Sequence, residues 1–314
     1  MSRNYLDFTE NKKNPFMRDV FIDEVYKYAK KNKNIYFTTP DMGAPSLDKF
    51  REKLPKQFIH AGISEQNMIS MAAGLSVQKK NVVCYAMAPF ITSRCYEQIK
   101  CSISAMNQKV TLVGIGVGLG YADAGPTHYT TEDISTMRVF PNIEILTPAD
   151  AYSTKVITQE CMKKPKFRFL RLDRDILPSV YNEKNFNLKK GYGEIKKGKN
   201  KCVISSGYLL HKVNKILNEK KNNIGLIDLF RIKPFPKDLI NKLKKFKEII
   251  VVEEQWTDGG TGSLILEQLS DRNLKNKVIR IGLNSRYYFE NGGRDYLHET
   301  YGLSTKLIKK KIFD

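Results

Sequence analysis

The sequence predicts an α/β protein of two domains with mostly parallel sheets flanked by helices, and three observations carry that prediction. Short apolar runs alternate with stretches of helical periodicity through Leu172; when each strand feeds a helix, the strands lie parallel and are covered on both faces. Residues 181–200 (YNEKNFNLKKGYGEIKKGKN) break the alternation, being polar, rich in Lys, Asn and Gly and poor in apolar periodicity, as a domain boundary is. Beyond them a second, smaller alternation begins. The expected organisation is an N-terminal arm over 1–14, a first domain over 15–185 and a second over 186–314. At 314 residues the chain is long enough for each domain to bury its own core.

The elements follow in order. Met17, Val20, Phe21, Val25 and Tyr28 recur at helical spacing over 17–30. A strand over 35–38 ends in the loop Pro40-Asp-Met-Gly-Ala-Pro-Ser46. Then come a strand over 57–60, a small-residue helix over 64–77, a strand over 82–85 and one helix over 91–106. Val110 to Ile115 reads as a buried strand entering the glycine-rich loop 116–128. Helix 132–138, strand 143–146, helix 149–161 and strand 167–172 close the first domain. In the second, 202–205, 224–228, 249–253 and 278–281 read as strands separated by helices. No internal repeat or low-complexity tract is present.

Composition excludes several classes. Hydrophobic residues make up 41% and charged residues 27%, the balance of a soluble globular protein. No apolar run approaches the ~20 residues that span a bilayer, and the start, Met1-Ser-Arg-Asn-Tyr-Leu-Asp-Phe, carries no secretory h-region. The five cysteines are scattered without a C-x-x-C pair, which predicts reduced thiols in a cytoplasmic protein. The net charge of +20 is uneven: residues 1–150 hold 18 Lys and Arg against 15 Asp and Glu, and the remainder holds 35 against 18. The lysines are spread through helices and loops and do not cluster with aromatics, so a solvated surface explains them better than a nucleic-acid footprint. Attraction of phosphorylated substrates or of an acidic partner subunit is a second use for the same charge.

Chemistry concentrates in the first domain. Glu65 lies in His60-Ala-Gly-Ile-Ser-Glu-Gln66, where a strand meets a helix, beside Ile63, Met68 and Met71. Strand ends are where open parallel sheets place ligands, although a glutamate in a first helical turn also serves simply to complement the helix dipole. Ala86-Met-Ala-Pro-Phe90 follows the next strand, with Tyr96 six residues beyond Phe90. The loop Gly114-Ile-Gly-Val-Gly-Leu-Gly-Tyr-Ala-Asp-Ala-Gly-Pro-Thr-His128 fails as a dinucleotide fingerprint, because its glycines miss the G-x-G-x-x-G spacing. Phe167-Arg-Phe-Leu-Arg-Leu-Asp-Arg174 ends another strand, and Arg174 and Arg171 compete as anion-binding forks. In the second domain stand Val251-Val-Glu-Glu-Gln-Trp-Thr-Asp-Gly-Gly-Thr-Gly262 and Phe289-Glu-Asn-Gly-Gly-Arg-Asp-Tyr-Leu-His-Glu-Thr-Tyr-Gly302. His60, His211 and His298 have the positions of structural residues.

These segments resemble the pyrimidine-binding half and the C-terminal domain of the transketolase family of thiamine diphosphate enzymes, over about residues 15–305. The resemblance implies a specific task for Glu65. The cofactor's weakly acidic C2–H must be removed, and a carboxyl group against N1′ of the aminopyrimidine lets the 4′ nitrogen take that proton. Such a carboxyl sits in a dry pocket, where apolar surroundings favour the protonated form. The resemblance also implies that Phe90 stacks on the aminopyrimidine with Tyr96 as a second aromatic, and that Asp41 and Met42 touch the cofactor. Ser46, Asp123 and Arg174 would bind substrate, Ser46 and Arg174 through a phosphate. His128 would face the substrate carbonyl and hydroxyls and move or donate a proton. Two departures stand out: Ala124 replaces the acid usual before Gly-Pro-Thr-His, with Asp123 one step earlier, and Gly114 replaces a substrate-binding His.

No Gly-Asp-Gly with a downstream Asn is present to hold a metal–diphosphate. The resemblance therefore implies an N-terminal diphosphate-binding subunit as partner, in an α2β2 heterotetramer, with Mg2+ or Ca2+ ligands coming from that partner and none from this chain. The activity implied is transfer of a two-carbon ketol unit from a ketose to an aldose acceptor, the ketose being phosphorylated if Ser46 and Arg174 act as implied. The β subunit of a 2-oxoacid dehydrogenase E1 component is the closest alternative, and a non-catalytic scaffold subunit is another. Deoxyxylulose-phosphate synthases, one residue shorter between Phe90 and Tyr96, are normally single long chains.

Overall fold

In the computed structural model, residues 14–40, 42, 43 and 45–314 are described. The expected arm and Asp41 thus lie, apart from Asn14, outside the described residues. The first unit runs α1 (Met17–Ala29), β1 (Ile35–Thr39), α2 (Asp48–Lys53), β2 (Phe58–His60), α3 (Glu65–Val77), β3 (Asn81–Met87), α4 (Ala88–Ile91) and α5 (Tyr96–Gln98). It continues through β4 (Val110–Ile115), α6 (Asp133–Met137), β5 (Glu144–Leu146), α7 (Ala151–Lys163) and β6 (Arg168–Leu172). The second holds β7 (Gly193–Lys196), β8 (Lys201–Ser205), α8 (Gly207–Asn218), β9 (Gly225–Asp228), β10 (Arg231–Lys233), α9 (Lys237–Leu243) and β11 (Glu248–Trp256). It ends with α10 (Thr261–Ser270), β12 (Lys277–Leu283), α11 (Gly293–Thr300) and α12 (Thr305–Phe313).

The two-domain α/β architecture is as expected. One sheet has the order β10-β5-β6-β4-β3-β1-β2 and the other β12-β11-β8-β9-β7. All pairings are parallel except β10 with β5 and β7 with β9. The central strands β3 and β4 are buried almost throughout, so they read as continuous apolar runs. Among the described residues no helix is long and apolar enough to cross a membrane. Four of the five cysteines are buried, and burial pushes the Cys161 and Cys202 thiols up to about 11 and about 12. These are unreactive core thiols.

Three elements differ from expectation. The helix expected over 91–106 is broken into α4, a 3-10 turn at Ser93–Cys95, α5 and a π-helical run at Ile99–Ser104. The 3-10 turn lies between Phe90 and Tyr96, and the π-helical run follows Tyr96. The segment 181–200 contains a strand, β7, and is pinned by aromatics: Phe186 packs against Tyr181 and Phe230 at centroid distances of 4.8 and 4.9 Å. Finally, β10 lies in the second half of the chain but adds antiparallel to β5 in the first sheet, satisfying an edge that would otherwise be unpaired.

The contact between the halves contains a buried acid. Asp228 accepts the Tyr181 hydroxyl at 2.7 Å, its Oδ1 has no partner among the described residues, and burial pushes the carboxyl up to about 8. The unfolded chain releases this proton first, so between about pH 4 and about pH 8 the folded chain holds the extra proton and loses stability as pH rises. Asp228→Asn should therefore gain about 1–3 kcal/mol over the wild type at pH 8 relative to pH 5. Urea unfolding at the two pH values checks this, and an advantage that does not change with pH would remove Asp228 from the account.

Candidate active site

Five segments singled out in the sequence leave the same edge of the first sheet. Parallel strands β1, β2, β3, β4 and β6 end respectively in the 42–46 loop, the Ala61–Ser64 turn, α4, the glycine-rich loop and Asp173–Arg174. Parallel order thus gathers residues more than a hundred positions apart at one carboxyl edge.

Glu65 opens α3 and is 4% exposed. Its burial follows from helical spacing, because Glu65, Met68, Ile69, Ala72 and Ser76 share the face turned to the core. The turn that delivers it uses Gly62 at φ +69, a conformation costly for other residues. Met68 is buried beside it as expected and Met71 is half-buried. Ile63 is not part of the pocket. It is 81% exposed, because the Gly62 turn directs it outward. One carboxyl oxygen of Glu65, Oε2, accepts from Arg94 Nη1 at 2.9 Å; Oε1 has no hydrogen-bond partner among the described residues.

Phe90 and His128 stand beside this pair. The Arg94 guanidinium lies 3.9 Å from the centroid of the Phe90 ring, and the Phe90 and His128 rings meet edge-on at 5.2 Å. Thr127 Oγ1 is 2.8 Å from His128 Nδ1, so Nε2 is the ring nitrogen that Thr127 does not engage. Glu65, Arg94, Phe90 and His128 thus form one contiguous cluster. Sequence reasoning does not single out Arg94 or Thr127; the signal for Arg94 is a cation four residues after an aromatic, and the signal for Thr127 is its place before His128.

Tyr96 lies elsewhere. Its ring packs on Phe140 at 4.9 Å and its hydroxyl donates to the Thr136 carbonyl at 3.2 Å, so both ends of the side chain are engaged away from the cluster. Met42 is half-buried between two cores, and Ser46 Oγ is buried without a partner among the described residues. His60 is exposed at the end of β2, whereas His211 and His298 are buried and bonded to the Ala149 carbonyl and to Glu254.

The two arginine candidates separate cleanly. Arg171 is buried and forks onto Asp133 at 2.6 and 3.1 Å, a structural ion pair. Arg174 is half-exposed, donates to Asp123 at 2.8 Å and to the Gly120 carbonyl at 3.3 Å, and stacks over Tyr121 at 4.6 Å. Asp123 and Arg174 are therefore brought together. Gly114 is sealed: a Cβ there would come 3.0 Å from the Phe169 ring and 3.1 Å from Ala88. A histidine at this position would overpack the contact at about 1–3 kcal/mol.

The second unit braces the glycine-rich loop. The backbone N–H of Trp256 donates to the Thr131 carbonyl at 3.0 Å, the Gln255 side chain to Asp133 at 2.8 Å, and the backbone N–H of Tyr288 to the Tyr129 hydroxyl at 2.7 Å. Gly118, at φ +61, faces Glu254 so closely that no Cβ would fit. Buried Arg294 joins Asp173 at 2.8 Å, Asp175 at 2.8 Å and Glu254 at 2.6 Å. Arg294 and His298 hold the Glu254 carboxyl well below its usual range despite burial. This network anchors Asp173, the residue before Arg174. Among the described residues no group of three or more His, Cys, Asp or Glu could hold a metal ion.

Residues 13–179 match the family model described as transketolase, pyrimidine binding domain, and residues 191–308 match transketolase, C-terminal domain. A protein of Methanocaldococcus jannaschii named putative transketolase C-terminal section is 29% identical over 304 residues, covering 95% of each chain. One subunit of the apulose-4-phosphate transketolase of Phocaeicola vulgatus is 30% identical over 270 residues, covering 84% of this chain and 86% of that one. A solved structure described as a split gene transketolase, inactive beta4 tetramer, superposes with a TM-score of 0.82 at 24% identity over 95% of this chain and 98% of that one; this likeness concerns the fold.

Proposed function

The chain belongs to the transketolase family, and from that premise we propose that it is the C-terminal subunit of a split transketolase. It transfers a two-carbon ketol unit from a phosphorylated ketose to an aldose acceptor. The observation that carries the reading is the cluster at the carboxyl edge, in which a buried carboxyl with one unpartnered oxygen adjoins Phe90 and His128. Relatives of matching extent, one named as a C-terminal section and one as a transketolase subunit, support the split organisation.

Transketolases use thiamine diphosphate, which when bound supplies the nucleophilic carbon for cleaving and re-forming the bond beside the ketose carbonyl. The residues present fit its aminopyrimidine: Glu65 Oε1 would meet N1′ and hold its proton, and Phe90 would stack on the ring. His128 would present Nε2 to the substrate carbonyl and hydroxyls. Arg174, held by Asp123, would bind the donor phosphate, and Ser46 Oγ would add a hydrogen bond to it. Met42 would be the apolar prop on the cofactor side, and Asp41 would touch the cofactor as well. The diphosphate and its Mg2+ or Ca2+ belong to an N-terminal subunit, in an α2β2 assembly in the cytoplasm.

The test is complementation. Purified alone, the chain should bind thiamine diphosphate with a Kd weakened by at least about a hundredfold relative to the mixture with its partner, and show no ketol transfer. Calorimetry showing tight, metal-dependent binding by the isolated chain would sink the split-subunit reading.

A further inference from the structure

We propose that Arg94 is a positioning residue that locks the two cofactor-facing groups of this chain, Glu65 and Phe90, into one preorganised unit. The inference rests on the reading of Glu65 and Phe90 given above. One guanidinium N–H holds Oε2 of the buried carboxyl at 2.9 Å, while the guanidinium lies against the Phe90 ring at 3.9 Å from its centroid. A planar cation can do both at once, donating in its plane and stacking with its face. With Oε2 so engaged, the carboxyl presents Oε1 alone, in a fixed rotamer.

The backbone around Arg94 is itself held. Its carbonyl accepts from Gln66 Nε2 at 3.1 Å, tying it to the first turn of α3 that carries Glu65. Upstream, Thr92 Oγ1 donates to the Ala88 carbonyl at 2.7 Å and Cys95 Sγ to the Phe90 carbonyl at 3.1 Å. The 3-10 turn at Ser93–Cys95 is thus the local irregularity that turns Arg94 back over Phe90. A regular helix would also place residue 94 near residue 90, but here hydrogen bonds fix the turn.

Arg94 also sets the charge that Glu65 meets. The Cys95 thiol stands next to the same pair; burial pushes it up to about 12, with Glu65 adding to the shift. It stays neutral across the working range. Among the described residues Arg94 is the one cation paired with the carboxyl.

The test uses the assembled enzyme with Arg94→Met and Arg94→Lys. In Arg94→Met, calorimetry should show thiamine diphosphate Kd weakened about tenfold, because an unbraced carboxyl and ring must be ordered on binding. Exchange of the cofactor's C2 proton, followed by NMR in heavy water, should fall about tenfold. Arg94→Lys keeps the charge without the stacked plane and should recover exchange but not affinity. Tighter binding in Arg94→Met would identify Arg94 as a plug that the cofactor must displace and would overturn the proposal. Unchanged Kd and an unchanged exchange rate would reduce the contact to a surface ion pair and overturn it too. Should Arg94→Met fail to fold, Arg94→Lys decides: wild-type affinity in it removes the brace. Glu65→Gln run in parallel separates the failures, since normal exchange there defeats the cofactor reading itself.

Discussion

Glu65→Gln, assembled with the partner subunit, should keep its fold and cofactor occupancy and slow C2 proton exchange by at least about 10²–10⁴-fold. The substitution is close to isosteric. The carboxamide oxygen can still accept from Arg94 Nη1, so the side chain retains its place in the buried face of α3. What is lost is the transferable proton: an amide N–H can donate a hydrogen bond to N1′ but cannot give up its hydrogen to it. Because occupancy is unchanged, KM for the donor should move little while kcat collapses, the pattern of an interaction made in the transition state. Wild-type exchange in heavy water would return Glu65 to the role of a helix-terminus carboxylate.

Most of the architecture was legible because the parallel strands are short apolar runs bounded by polar turns. Val110 to Ile115 is buried at every position, so hydrophobicity alone marks it. Where the structure departed, the missing information was not periodic. The apolar positions over 91–106 recur as in one helix, and the breaks at the 3-10 turn and the π-helical run have no periodic signature. Tyr181, Phe186 and Tyr192 sit at irregular spacing in a polar stretch, yet Tyr181 and Tyr192 are buried; their partners, such as Phe230, are distant in sequence. The pairing of β10 with β5 is likewise a tertiary fact, invisible to local pattern.

The site divides in the same way. Glu65 was recoverable because its neighbours Met68, Ile69 and Ala72 define a buried helical face, whereas Ile63 was misread because a single positive-φ glycine reverses the chain before it. Arg171 and Arg174 both flank Asp173 in sequence, and only the structure shows one forked onto buried Asp133 and the other at the surface with Asp123. Arg94 and Thr127 act through residues already singled out, and contacts of that kind have no signature of their own.

His128→Ala should lower kcat by about 10²–10⁴-fold, the usual scale for a positioned acid or base, with the loop otherwise intact. The ring touches Phe90 edge-on and Thr127 through Nδ1, so its removal leaves a small surface gap and no buried orphan. Arg174→Ala should act on a different link. A phosphate held equally in ground and transition states affects KM more than kcat, and the loss should vanish with a donor that lacks phosphate. The ion pair with Asp123 would be lost at a half-exposed position, where such a pair is worth about 0–1 kcal/mol, so stability should barely change and the kinetic effect can be read directly. Steady-state kinetics with matched phosphorylated and unphosphorylated ketoses distinguish the two variants. If Arg174→Ala impairs both donors equally, the sugar-phosphate assignment falls while the chemistry at His128 stands; if His128→Ala turns over at the wild-type rate, the catalytic assignment of the Gly-Pro-Thr-His loop falls instead.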